Sequence, residues 1–191
     1  MKIFELPDGY KETREIDLKK NIKLAIFVSA LSLALAGVVF FIGLLIMPIH
    51  ISSVDSENPF KPLVTLFVIL GLMIIYMILH EFVHGIFFKK YSGEKAQYGF
   101  TGLYAFAKSN AYYNKKEILI IGLSPIVMLG IVLLILNITL SASCFWYVFS
   151  VQILNISGAA GDLYVAYVLN KMPQQELLVK DNGASMTIYT K

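Results

Sequence analysis

The chain has 191 residues, of which 57% are hydrophobic and only 15% charged, with a net charge of +3. A soluble domain carries nearer a quarter charged residues, so an ordinary water-soluble core is excluded. No basic cluster is interleaved with aromatics, which sets aside a nucleic-acid surface, and the single cysteine, Cys144, cannot build a disulfide framework or a cysteine metal site within one chain.

About twenty mostly polar residues precede the first apolar run, Leu24 to Met47, which stops at Pro48. That run is longer than a signal-peptide core and has no clear small-x-small site after it, so it reads as a retained span. A polar loop, Pro48 to Pro62, leads to a second run, Leu63 to Phe88, closed by Lys89-Lys90. The third run is Ile118 to Leu140 and contains Pro125; the fourth is about Cys144 to Leu169, followed by Asn170-Lys171. Each reaches the roughly 20 apolar residues that a helix needs to cross a bilayer. Only Ser141-Ala142-Ser143 joins the last two, which predicts a tight helical hairpin. The expected fold is an all-α membrane protein of four transmembrane helices: a cytoplasmic segment 1–21, a four-span domain 22–170 and a cytoplasmic tail 171–191.

Basic residues set the orientation. Residues 1–23 hold six Lys/Arg, 89–117 hold six and 170–191 hold three, against Lys61 alone in the 48–62 loop. An even number of spans puts the first three segments on one side, and the positive-inside rule makes that side the cytoplasm. A multi-pass cell-membrane protein with both termini inside is therefore expected.

Segment 89–117 is rich in aromatics, including Tyr91, Tyr98, Phe100, Phe106, Tyr112 and Tyr113. It fits either an interfacial aromatic belt or one or two short strands beside a buried site, where protein or water covers the backbone. The tail from Glu176 to Tyr189 reads as two short strands about Asp181-Asn182-Gly183, a hairpin turn signal. An isolated hairpin is marginal, so it must lean on another cytoplasmic segment.

The second span ends in His80-Glu81-Phe82-Val83-His84. Residues four apart share a helix face, so His80 and His84 can reach one ion. Glu81, beside that face, can take a proton from a water activated by the ion and return it to a leaving amine. Zinc suits such nitrogen and oxygen ligands with one position left open. Three fixed positions can arise by chance. Here, however, two of the chain's three histidines are in the motif, the motif lies on a strongly apolar helix, and a carboxylate within a span is expensive and usually functional.

A catalytic zinc site has three protein ligands as a rule, and depth discriminates among the candidates for the third. His80 lies 17 residues into its inward-running span, roughly 26 Å along a helix, and Asp162 lies 18 residues into the fourth, roughly 27 Å. Glu117, on the same side but nearer water, is the fallback. His50 sits toward the opposite face. Asn155, Gly158 and Asp162 fall near one face, where Gly158, Ala159 and Gly161 permit close helix approach. Asn155 carries two readings: a donor to a substrate carbonyl or oxyanion, or an interhelical hydrogen bond of the kind Asn makes in membranes.

These pieces in order (Leu6-Pro7-Asp8-Gly9-Tyr10, Glu15-Ile16-Asp17-Leu18, His80-Glu-Phe-Val-His84-Gly85, Leu123-Ser124-Pro125, and Asn155 with Gly158-Ala-Ala-Gly161-Asp162-Leu163) resemble the putative zincin peptidase family of small bacterial membrane proteins. That family looks like a distant relative of the site-2 proteases, which cut substrates in or near membrane spans. The resemblance implies that His80, His84 and Asp162 bind zinc and that Glu81 is the catalytic base. One departure is that Asp162 follows Gly161 and precedes Leu163, where site-2 proteases usually show Leu-Asp-Gly.

The resulting expectation is a zinc-dependent intramembrane endopeptidase acting on transmembrane or membrane-associated proteins near the cytoplasmic face, with residues 89–117 offering an edge for an extended substrate. The alternative is a membrane scaffold or binding protein with a structural or vestigial zinc site. Four spans without a repeat give little material for a transporter.

Overall fold

The computed structural model describes residues 3–48, 60–100, 102, 105–172, 176–183 and 185–191; His50 lies outside them. The chain opens with β1 (Lys11–Asp17) and enters α1 (Ile22–Ile46) through Asn21, whose side chain accepts from the Leu24 amide at 3.1 Å. α2 (Lys61–Ser92) starts with proline in its first turn and stops at Gly93, whose φ of +81° only glycine adopts without strain. The hairpin β2 (Gln97–Phe100) and β3 (Ala105–Lys108) follows, then β4 (Tyr112–Asn114). α3 (Lys115–Thr139) begins in a capping box: the Glu117 amide donates to Asn114 Oδ1 at 2.9 Å and the Asn114 amide donates to Glu117 Oε2 at 3.0 Å.

α1, α2 and α3 are long and apolar enough to cross a membrane, and most of their apolar surface faces outward. Such exposure is what a lipid solvent asks of a span. α2 has 32 residues, roughly 48 Å, so it outruns the roughly 30 Å hydrocarbon core.

The fourth apolar run is not the single helix expected over 144–169. It divides into α4 (Phe145–Ser157) and α5 (Ala160–Lys171). The division falls at Gly158-Ala159, where a Cβ on Gly158 would sit 2.7 Å from the Leu154 carbonyl oxygen. Ala159 and Ala160 are fully buried, so the joint packs deep in the bundle. α1 packs on α4 and α5, whereas α2 packs on α3, α4 and β3.

Among the described residues, segment 89–117 holds three strands rather than one or two. The tail forms the hairpin read from its turn: β5 (Leu177–Asp181) and β6 (Ser185–Thr190), with Gly183 at φ +81°. It leans on two partners at once, in an antiparallel sheet of order β1-β6-β5-β4. The two terminal segments are thus joined to each other and to the α2–α3 connection. Ile16, Tyr113, Val179 and Ile188 of this sheet pack with Phe88, Ile118, Ile121 and Leu169 of the helices in one buried cluster. The start of α1, the end of α2, the start of α3 and the end of α5 consequently lie at one end of the bundle.

Candidate metal centre

His80 and His84, one turn apart on α2, and Asp162, in the first turn of α5, bring their ligand atoms within 4.8 Å of one another. The two Nε2 atoms are 3.2 Å apart, and Asp162 Oδ2 lies 3.5 Å from His80 Nε2 and 3.9 Å from His84 Nε2. The break before α5 makes this possible: it puts Asp162 at a helix start, where the partial positive charge of free amides favours a carboxylate. His84 is buried, and the other two are partly so.

The donor set fits a zinc ion. Two nitrogens each about 2.0–2.1 Å from a tetrahedral ion stand about 3.3 Å apart, close to the 3.2 Å found. The carboxylate needs only a small inward shift. Two imidazole nitrogens and a carboxylate oxygen converging in a partly buried space also call for a cation between them, since unshared electron pairs brought so close repel.

Both outer ring nitrogens are engaged. His84 Nδ1 lies 3.0 Å from the Ile121 carbonyl oxygen, and His80 Nδ1 lies 2.9 Å from the Tyr76 hydroxyl. Tyr76 donates to Asn155 Oδ1 at 3.0 Å, and Asn155 Nδ2 donates to the Ile126 carbonyl at 3.1 Å. Asn155, at 1% exposure, is therefore an interhelical linker behind His80. Glu117 is held in its capping box at the start of α3, outside the metal-ligand group.

The site opens into a cavity of about 810 Å³ reached by Ser29 and Ser32 of α1, Met77 and Glu81 of α2 and Phe106 of β3. Glu81 is one residue beyond His80, and the Ala107 amide of β3 hydrogen-bonds its carboxylate. The β2–β3 hairpin lies over this end of α2 because Gly85 has no side chain: a Cβ there would collide with the Tyr98 hydroxyl. Phe106 in turn rests against Gly183 of the tail hairpin.

Asp181 also lines the cavity. Burial pushes its carboxyl up to about 6; the Gly183 amide and His84 oppose that rise, while Asp162 and Glu81 add to it. The sequence reading did not reach Asp181 or Tyr76. Tyr76 carried a usable signal, because it stands four residues before His80 and shares its face. Asp181 carried none beyond its turn, since its neighbours come from α2 and α5.

A family model described as putative zincin peptidase matches residues 73–177. No curated protein and no solved structure matches the chain.

Proposed function

The chain belongs to the putative zincin peptidase family, and from that premise we propose that it is a zinc-dependent intramembrane endopeptidase, similar in chemistry to the site-2 proteases. The observation that carries this reading is the convergence of His80, His84 and Asp162 beside Glu81, in a cavity walled by apolar helices. Its substrates are transmembrane or membrane-associated proteins, and it cuts them near the cytoplasmic face. α4 and α5 together make the fourth crossing: 145–171 is 27 residues, roughly 40 Å if helical throughout. The sheet-bearing end is cytoplasmic, in line with the basic residues gathered there.

His80, His84 and Asp162 would hold the ion, which supplies Lewis acidity to the scissile carbonyl and the attacking water. Glu81 takes a proton from that water as its oxygen attacks the carbonyl carbon. The same carboxyl then gives the proton to the amine nitrogen as the C–N bond breaks. The Ala107 amide keeps the carboxylate turned toward the cavity. A helical substrate shields its own amides, so the cut segment must first extend, and an exposed edge of the β2–β3 hairpin is suited to hold it as an added strand.

The test is metal content and cleavage side by side. About one zinc per chain is expected in detergent-purified wild-type protein, with zinc lost in His84→Ala and Asp162→Ala. Glu81→Gln should keep zinc and lose cleavage by about 10²-fold or more. Zinc absent from wild-type protein supplied with the metal, or full function in Glu81→Gln, would instead favour the scaffold.

A further inference from the structure

α3 contains Pro125 in its interior. A proline has no N–H, so the carbonyl four residues earlier loses its helical partner. That carbonyl is Ile121, and two side chains take it up: the Ser124 hydroxyl donates to it at 2.9 Å, and His84 Nδ1 lies 3.0 Å away. A carbonyl can only accept, so the proton of a neutral His84 ring is on Nδ1. Its Nε2 is left with a free electron pair facing His80 and Asp162.

The other histidine is reached by a longer route with the same logic. The Ile126 carbonyl can only accept, which fixes Asn155 with its amide nitrogen toward α3 and Oδ1 toward Tyr76. Oδ1 can only accept, so it takes the single Tyr76 proton. The Tyr76 oxygen, 2.9 Å from His80 Nδ1, must then accept from it. His80 too is left with Nε2 bare. Gly130 makes room for this chain, because a Cβ there would come within 2.9 Å of Asn155 Nδ2.

We infer that α3 sets the tautomers of both metal-binding histidines, through the Pro125-freed Ile121 carbonyl for His84 and through Ile126, Asn155 and Tyr76 for His80. Asn155, Tyr76 and Pro125 are positioning residues on this account, acting through the two histidines. The inference rests on the zinc reading above. Groups of this kind typically contribute 10–100-fold in metal affinity.

The experiment is zinc affinity of the full chain in detergent, by competition with a chromophoric chelator, with thermal unfolding of the zinc-free protein alongside. In Asn155→Leu the Tyr76 proton loses its acceptor, and the nearest left is His80 Nδ1. Donation there moves the histidine proton to Nε2, where the ion belongs, and affinity should fall about 10–100-fold. Adding Tyr76→Phe removes the misdirected proton, so the double variant should bind more tightly than Asn155→Leu alone. A packing role predicts the reverse order. Pro125→Ala returns an N–H to compete for Ile121. The zinc-free protein should gain stability, since an interior proline is costly, while zinc affinity drops about tenfold or more. Wild-type affinity in both Asn155→Leu and Pro125→Ala, or a double variant weaker than Asn155→Leu, would overturn the inference. A wild-type chain that binds no zinc would instead remove the premise.

Discussion

Gly85 shows how much can hang on a missing side chain. The Tyr98 hydroxyl occupies the space a Cβ would need. Gly85→Ala should therefore lift the β2–β3 hairpin off α2 at a local cost of about 1–3 kcal/mol. Faster amide exchange over 97–108, with zinc retained, is the expected result; unchanged exchange would mean that the hairpin is held elsewhere. Asp181 gives a pH-dependent prediction. Its carboxyl rises from 3.8 to about 6 on folding, so the folded state holds the proton more tightly. Its contribution to stability is full below about pH 4 and is lost as pH climbs through 6. Asp181→Asn keeps an acceptor for the Gly183 amide, so with a chelator present it should melt above wild type at pH 8 and not at pH 4. The grouping of His80, His84 and Asp162 was legible in the sequence because helical spacing and depth are linear quantities. Asp181 was not read as part of the site, because its partners there are supplied by tertiary structure; Tyr76 was missed although its spacing from His80 offered a signal.

Among the elements, the divided fourth segment is one that sequence concealed. Gly158-Ala159-Ala160-Gly161 is apolar throughout, so hydropathy runs on unbroken while the backbone does not. Replacing Gly158 with valine should move α5 against α4 and draw Asp162 away from the histidines, since the added carbon meets the Leu154 carbonyl. Lower zinc content with every ligand still present would be the sign, and undiminished zinc would show that the joint is not what aims Asp162. The β5–β6 hairpin was legible from Asp181-Asn182-Gly183. β1 was not, because Lys11–Asp17 is almost entirely charged or polar and turns only Ile16 fully inward. Three-residue β4 is too short to carry a pattern. Both are strands by virtue of the edges they find.

For the molecule as a whole, the sheet ties together every segment at one end of the bundle, and the proposed topology puts that end in the cytoplasm. Single cysteines introduced at Asp8, Lys95 and Glu176 in a Cys144→Ser background should behave alike toward a membrane-impermeant thiol reagent. They should react only after cells are opened, whereas Phe60→Cys should react in intact cells. Mixed behaviour among the first three would contradict four crossings; full reversal would keep the crossings and invert the protein.

β1 precedes every apolar helix and β6 follows them all, yet the two are direct neighbours. They cannot meet until the whole intervening chain has been inserted. The β5–β6 turn, which brings Asp181 to the cavity and Gly183 against Phe106, is held on one side by that meeting and on the other by β4. During biogenesis the histidines are thus in place well before the cavity is finished. A chain whose sheet has not closed lacks the Asp181 side of the cavity, so completion of the site is coupled to completion of the fold.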